Sequence, residues 1–595
     1  MDVARTAMTA DVGADRRETR YRRLIELGIA LSAERHHNRQ MELILVGAKE
    51  LTRADGGTLY LHDPGTKTLR FAIMLNDSLG IALGGTTGRP IEFAPLALYD
   101  PDGSPNWHNV CTAAALTGQI VAIDDAYHAT HYDFTGTKAF DAQTGYRSQS
   151  FLTVPLKSHE GDVVGVLQLI NAHDPKGKVV PFPGEAADLV EALAAQAAVA
   201  LDNQMLLAAQ KKLFTAFIAM IANAIDAKSP YTGGHCRRVP ALTNMLTRAA
   251  TETDQGIFAD FSLSEDEWYE LEVAGGLHDC GKVTTPENVV DKATKLEAIY
   301  NRIHEIRTRF EVVKRDVEIA YWRARAEGGD QTALAAERDA RLAQLDSDFA
   351  FVAECNVGSE FMAPERVERL RRIAGVTWNR TLDDSLGLSW EEAHRRPQAL
   401  SALPALEHLL ADKPEHLVPH DKPPASEEKR WKFNIVPPAN KFNLGELYNL
   451  SISRGTLTAE DRYQINDHIV QTIMMLEALP FPKTLKRVPE IAGGHHEKLD
   501  GSGYPKGLTK AEMSIPARAM AIADIFEALT ARDRPYKTPK KLSDCVKILS
   551  RMAHNQHIDP DLFKLFLTSG VYRDYAEAFL LPEQIDAVDI ALYAS

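Results

Sequence analysis

Nitrogen and oxygen donors recur in four short motifs: His235 in YTGGHCRRV, His278 and Asp279 in LHDCGK, His495 and His496 in GGHHEKLDGSGYP, and Asp524 in AIADIFEALT. Each lies in or beside a stretch of helical apolar periodicity, so the side chains can project from several helices into one bundle core. Imidazole nitrogen with carboxylate oxygen, and no thiolate, suits Mn, Fe, Ni, Co or Zn rather than a thiolate-selected metal. A lone histidine is more often a surface or hydrogen-bonded core residue than a ligand, and an adjacent His–Asp pair is common by chance. The joint occurrence of HDCGK, HHEKLDGSGYP and a downstream Ala–Asp in one chain favours a metal centre. Cys236 and Cys280, each beside such a donor, read as small packing residues.

The elements that position these donors belong to a chain of 595 residues, enough for several domains. Hydrophobic residues at 45% and charged residues at 25% exclude collagen-like, low-complexity and wholly disordered classes. The 67 basic and 82 acidic residues leave a net charge of -15, which disfavours a nucleic-acid polymer or an anionic membrane as partner of the whole protein. An anionic ligand then needs a local basic pocket. Five cysteines without a CxxC pair indicate reduced, cytoplasmic usage. Residues 1–20 are polar, lack a signal-peptide core and read as a disordered tail. The Ala-rich stretch from Ala186 to Ala209 is interrupted by Asp188, Glu191 and Asp202, so no membrane span is expected.

Apolar residues recur at helical spacing from Tyr21 to Arg53, after which GGTLYLHD, LRFAIML, GQIVAIDD and SQSFLTVPLKSHEGDVVGVLQLIN read as strands. A turn is expected around His159 to Asp162, and a helix from about Pro183. This order predicts an α+β domain with helices on one face of a sheet. TGQIVAIDD, FDAQTGYRSQSFLTVPL and GVLQLIN resemble the strand motifs of GAF domains, over residues 21–205. Lys138, Phe140 and Asp141 with TGYRS are similar to the region that GAF domains of cyclic-nucleotide phosphodiesterases use near their ligand. The resemblance implies either small-molecule sensing or a part in dimerisation and transmission of strain.

From Leu201 to Lys228 the chain has no Pro or Gly, and Leu206, Leu213 and Met220 fall seven apart, which suits a helix seam in a homodimer. Residues 297–455 read as an insertion. Arg302 to Arg325 and Gln331 to Phe349 predict a helical hairpin turned at EGGD, and the proline-rich stretch from Pro404 to Pro438 reads as irregular. No chemistry is legible in it.

HDCGK, HHEKLDGSGYP and IPARAMAIADIFEALTARDRPYK resemble the HD-GYP family of metal phosphohydrolases, over about 212–296 and 455–595. The resemblance implies an all-α domain, a metal centre, and hydrolysis of cyclic di-GMP to pGpG or GMP, with other cyclic dinucleotides preferred by some members. Carried over by position, His235, His278, Asp279, His495, His496 and Asp524 match metal ligands, with Asp279 as the bridge. One more ligand is needed between HD and HH. His304 lies 26 residues after His278, and His468 lies 27 before His495; the LTAEDR lead-in favours His468. The glutamate of trimetallic members is replaced by Tyr231, which implies two divalent ions, Fe or Mn first, with Ni, Co or Zn as alternatives.

Lys282 resembles the family lysine that contacts phosphate or helps activate water. Gly503, Tyr504 and Pro505 match the GYP loop, which shapes the substrate pocket and in the family is linked to GGDEF-type partners. Arg518, Arg534 and Lys537 add local positive charge for a phosphate or a guanine edge. Arg534 lies ten residues after Asp524, one more than the commoner spacing. Phosphodiester hydrolysis needs an oxygen nucleophile and neutralisation of phosphoryl charge, and two ions about 3.5–4 Å apart supply both.

The expected architecture is multidomain: an α+β GAF domain at 21–205, then an all-α HD-GYP-like bundle at 206–296 and 456–595, split by a large helical insertion at 297–455. The expected activity is that of a GAF-regulated, metal-dependent phosphodiesterase. The alternatives are a non-hydrolysing cyclic dinucleotide receptor and a hydrolase for another nucleotide phosphoester.

Overall fold

The computed structural model describes residues 2–34, 36–228, 234–358, 361–396, 402–531 and 539–593. Tyr231, Arg534 and Lys537 lie outside the described residues. The chain divides into two compact units, Met1–Phe214 and Thr215–Ser595.

The N-terminal unit opens with α1 (Asp2–Ala33) and α2 (His37–Thr52), followed by β1 (Ala54–Asp63), β2 (Thr68–Asn76), β3 (Ile81–Gly84) and β4 (Leu96–Ala97). Then come α3 (Val110–Thr117), β5 (Val121–Ile123), α4 (Thr135–Thr144), β6 (Phe151–Lys157), β7 (Val163–His173), β8 (Val179–Val180) and α5 (Gly184–Lys228). The segment expected to be a disordered tail is helical instead. No proline interrupts it, so the helix nucleated by the apolar repeat after Tyr21 propagates back to Asp2.

The antiparallel sheet has the order β3-β2-β1-β7-β6-β5, with β4 on β2 and β8 on β7. Alternation along β1 divides its side chains between two cores. Leu59 and Leu61 pack with α1, α2 and the Leu189–Leu201 part of α5, while Tyr60 packs with Cys111 and Ala114 of α3. The expected turn between β6 and β7 closes where Ser158 N–H donates to the Asp162 carbonyl at 2.8 Å. Beyond Leu201, α5 exposes Leu206, Leu213, Phe217 and Met220. By length and composition alone α5 also satisfies the requirement for a membrane-crossing helix, although its Leu189–Leu201 portion is buried in the sheet core.

The C-terminal unit is mainly helical. It begins with α6 (His235–Glu252), α7 (Glu265–Leu277) and α8 (Glu287–Val290). The inserted region holds α9 (Ile303–Ala326), α10 (Gln331–Val357), α11 (Pro364–Ala374), α12 (Trp390–Arg395) and α13 (Glu446–Leu450). It closes around its own core, in which Leu296, Phe310, Leu345, Val352, Leu370 and Leu450 are buried together. The hairpin α9–α10 forms where the sequence places it. The region is not purely helical, however: Thr377–Arg380 pairs with Ala405–His408, and Leu417–Val418 with Phe442–Asn443, in two small antiparallel sheets. These pairings hold the proline-rich stretch, whose missing N–H groups leave it few other routes to backbone pairing. The bundle resumes with α14 (Ala459–Glu477), α15 (Val488–Gly493) and α16 (Ile515–Thr530), and ends with α17 (Leu542–His554), α18 (Pro560–Thr568) and α19 (Val571–Phe579).

Candidate metal centre

Helix ends deliver most of the donors. His235 is the first residue of α6, directly after Gly234 in the left-handed region. A Ser264–Glu267 capping box starts α7, and the helix stops at Leu277, so His278 and Asp279 emerge at its C-terminus into the 3-10 turn Cys280–Thr284. A second capping box, Thr458 with Asp461, starts α14 and sets the phase that turns His468 inward. The short α15 ends at Gly493 and presents His495 and His496, while α16 carries Asp524 mid-helix. One glycine makes the convergence sterically feasible. A Cβ on Gly281 would stand 1.9 Å from the His468 carbonyl oxygen and 2.6 Å from the Thr472 nitrogen, so only glycine lets the HDCGK turn lie against α14. Its N–H donates to Thr472 Oγ1 at 2.9 Å.

The donors fall into two groups, His235, His278, Asp279 and Asp524 in one, and His468, His495 and His496 in the other, with ligand atoms inside each group within 4.8 Å of one another. Asp279 faces both. Its Oδ2 lies 2.8 Å from His235 Nε2, 3.2 Å from His278 Nε2 and 2.6 Å from Lys282 Nζ. Its Oδ1 lies 3.2 Å from His468 Nε2 and 4.0 Å from His495 Nε2. Asp524 Oδ1 is 3.4 Å from His235 Nε2.

Backbone carbonyls orient three of the rings. Nδ1 of His278 approaches the Gly275 carbonyl at 2.7 Å, that of His468 the Ile465 carbonyl at 2.5 Å, and that of His495 the Ala492 carbonyl at 2.6 Å. A carbonyl can only accept, so each Nδ1 carries the proton and each Nε2 presents its lone pair to the centre. His235 differs, with Nδ1 set 2.6 Å from Glu527 Oε2. Ring nitrogens then crowd one another: His235 and His278 Nε2 are 3.4 Å apart, and His468 and His496 Nε2 are 3.2 Å apart. Two ligands on an ion about 2.1 Å away stand at about that separation. The buried atoms Asp279 Oδ1 and His495 Nε2 have no hydrogen-bond partner. Converging imidazoles, a shared carboxylate and orphaned buried acceptors fit divalent cations.

The charge states follow from burial and neighbours. Burial lowers His495 to about 4 and His496 well below its ordinary value, keeping both neutral. Burial and Lys282 oppose charge on His235, but its hydrogen bonds to Asp279 and Glu527 prevail and raise it to about 9. Burial works against ionised Asp279, yet Lys282 and His278 hold its carboxyl well below the usual range. Lys282 is raised because Asp279 and Asp524 outweigh its burial.

Not every residue singled out in the sequence points at this centre. His304 is exposed on α9, where Arg307 donates to it at 2.8 Å, and it takes no part in the cluster. Arg518, expected to hold substrate, has its guanidinium committed to the buried Asp559 carboxylate, because α16 and α18 pack side by side there. The Gly503–Pro505 turn does abut the centre: the Tyr504 ring stacks on His496 with centroids 5.0 Å apart and planes 18° off parallel. A Cβ on Gly503 would lie 2.2 Å from the Lys498 nitrogen, which explains that glycine.

Sequence reasoning missed Glu527. It joins His235 to Arg238, whose Nε donates to Glu527 Oε1 at 2.8 Å. Burial would raise its carboxyl, but His235 and Arg238 bring it down to about 2. The signal was present, since Glu527 sits one helical turn after Asp524 on the same face. Glu497 was also overlooked. Its carboxylate accepts the N–H groups of Lys506, Gly507 and Leu508 at 2.6, 3.1 and 2.9 Å, and so ties down the backbone that follows the Gly503–Pro505 turn.

The N-terminal unit has a cavity of about 230 Å³ lined by Tyr60, Phe71, Phe93, Phe140, Tyr146 and Phe151, among others. Two of its polar side chains, Tyr146 and Ser148, are hydrogen-bonded to residues outside the lining. Tyr146 Oη donates to Asp55 Oδ2 at 2.5 Å and accepts from Asn171 Nδ2 at 2.9 Å. Asp141 accepts from Ser148 N–H, Ser148 Oγ and Tyr127 Oη, each at 2.8 Å, so it braces the α4–β6 connection rather than facing a ligand.

Comparison with known families matches residues 38–201 to the GAF domain and residues 404–562 to the HD domain. The chain carries a GAF domain followed by an HD domain with homology to HD-GYP cyclic dinucleotide phosphodiesterases. The HD match reaches back to residue 404, into the segment read above as insertion. Among curated relatives, a 3'3'-cGAMP-specific phosphodiesterase of Vibrio cholerae is 38% identical over 109 residues, 18% of this chain and 23% of the relative. A cyclic di-GMP phosphodiesterase of Pseudomonas aeruginosa is 39% identical over 87 residues, 14% and 20% of the two chains. One from Thermotoga maritima is 35% identical over 113 residues, 19% and 30%. These matches span less than a third of each relative. Among solved structures, the GAF domain of an Acinetobacter phosphoenolpyruvate-protein phosphotransferase covers 32% of this chain and 97% of its own, at 14% identity and a TM-score of 0.24.

Proposed function

We propose that the C-terminal unit is a metal-dependent phosphodiesterase that opens a cyclic dinucleotide, with cyclic di-GMP as first candidate and 3'3'-cGAMP as second. The observation that carries this reading is the single Asp279 carboxylate presenting one oxygen to each histidine group, with Lys282 Nζ 2.6 Å away. Names of the homologous relatives include both dinucleotides. Two divalent ions, iron or manganese, would be held by His235, His278 and Asp524 on one side and His468, His495 and His496 on the other, with Asp279 shared. When bound, such ions lower the pKa of a water and offset charge on phosphoryl oxygens.

The chain's own residues do the rest. Lys282 stays protonated and offers its ammonium to a phosphate oxygen. Glu527 holds His235 by Nδ1, leaving Nε2 directed at the centre. Tyr504 and the backbone of its turn form a wall beside His496, where a nucleotide can lodge. Exposed Leu206, Leu213 and Met220 on α5 support pairing with a second copy, and the five buried, unpaired cysteines suit a cytoplasmic protein. The cavity of the N-terminal unit is the place for a regulatory ligand.

The test is product analysis. Anaerobically purified protein with its metal content quantified should convert cyclic di-GMP or 3'3'-cGAMP to linear product. Tight binding of both without any product would make the protein a receptor and overturn this reading.

A further inference from the structure

Residues 417–445 carry no motif, yet this stretch of the inserted region grips the substrate turn. The Asn434 backbone N–H donates to the Pro505 carbonyl at 2.7 Å, and its Nδ2 donates to the Gly503 carbonyl at 3.0 Å. One residue thus holds the carbonyls of the residues on either side of Tyr504. The turn has a second anchorage from within: Tyr504 N–H donates to the His496 carbonyl at 3.2 Å, and Glu497 accepts the three amides that follow the turn. Between the two anchorages the Tyr504 ring lies stacked on the His496 imidazole.

The same stretch is moored to the helix that supplies His468. Ser426 Oγ lies 2.9 Å from Tyr463 Oη on α14. Residues 426–434 therefore run from α14 to the Gly503–Pro505 turn as a strap. Along the strap Trp431 and Phe433 stack at 5.9 Å and 10°, Arg430 covers the Trp431 ring at 4.6 Å, and the buried Trp431 indole nitrogen has no hydrogen-bond partner.

We propose that Asn434 is a positioning residue for the nucleotide portion of the substrate, acting by fixing the Gly503–Pro505 turn and, with it, Tyr504. The inserted region then sets how well a cyclic dinucleotide is bound and leaves cleavage of the diester to the metal ligands. The inference rests on the function proposed above. Asparagine is the required chemistry, because Nδ2 must donate to a carbonyl; aspartate has the same shape but only acceptors, and would repel it.

Kinetics of full-length, metal-loaded protein test this with three substrates: cyclic di-GMP, 3'3'-cGAMP and bis(p-nitrophenyl) phosphate, a diester without a nucleobase. Asn434→Ala should raise the dinucleotide KM about 5- to 10-fold, the equivalent of one lost hydrogen bond, and Asn434→Asp should raise it further. Metal content, kcat and the kinetics of the small diester should stay as in the unsubstituted protein. Amide exchange at 501–507 should quicken in both variants, a readout independent of activity. Unchanged dinucleotide KM in Asn434→Ala, or equal losses on the dinucleotide and the small diester, would overturn the role of Asn434 while leaving the functional reading intact. Unsubstituted protein that cleaves the small diester but neither dinucleotide would overturn both. Should Asn434→Asp fold poorly, Asn434→Ala alone decides.

Discussion

The aromatic cavity of the N-terminal unit and the histidine cluster of the C-terminal unit both bury ionisable groups, and they treat them in opposite ways. In the first, Tyr146 joins Asp55 to Asn171, and Asp141 accepts from Ser148 and Tyr127, all through short hydrogen bonds. In the second, imidazole nitrogens face each other 3.2–3.4 Å apart, and Asp279 Oδ1 and His495 Nε2 are left without partners. A closed network braces a fold, whereas buried acceptors held apart from any donor cost free energy that a bound cation would recover. The contrast separates architecture from chemistry without reference to any motif.

The sharpest way to break that contrast is Asp279→Ala. Losing the carboxylate common to both histidine groups should cut turnover by more than about 100-fold, since metal charge stabilisation is worth several kcal/mol. It should also release at least one ion, read by elemental analysis. Full retention of both ions would show that Asp279 is not shared. Glu527→Gln comes next. His235 keeps its place but loses its anionic partner, and metal affinity should fall about 10- to 100-fold, as for other groups behind a ligand. A metal titration would measure this, and unchanged affinity would reduce Glu527 to a packing role.

Thermal unfolding against pH tests the same centre. His235, at about 9 in the folded protein against an ordinary 6.5, contributes stability that is present below pH 6.5 and lost as pH rises toward 9. His495, at about 4, takes up less proton than the unfolded chain, so stability falls as pH drops from 6.5 toward 4. These two groups together place the stability maximum of metal-free protein near pH 6.5. Metal binding requires both rings deprotonated, so loading should shift and flatten the profile. The smallest effect belongs to the cavity. Tyr146→Phe should cost about 1–3 kcal/mol by removing one hydrogen bond each from Asp55 and Asn171, with metal content unchanged. A change in bound metal would erase the distinction between the two regions.

Much of the centre was legible because its ligands sit in local motifs with fixed helical surroundings. HDCGK places a donor pair at a helix end, and HHE follows a short helix in the same manner. Glu527 was legible in principle, one turn from Asp524. The choice of His468 over His304 rested on the LTAEDR lead-in alone, because both lie at similar spacing in similar helices. Only packing shows His304 exposed and His468 against Asp279. The pairing of Arg518 was hidden for the same kind of reason, since its partner Asp559 is 41 residues away. The helical start of α1 and the two small sheets of the inserted region were likewise beyond local pattern, because each depends on what the segment joins.

The sequence alone determined the α+β and helical division and the donor chemistry, since periodicity and residue type act over a few neighbours. Tertiary structure alone decided that Arg518 is already paired, and that Asn434 reaches Gly503 and Pro505 across 69 residues of chain. Those outcomes depend on contacts between distant segments, and pairing energies of a few kcal/mol leave no trace in local composition.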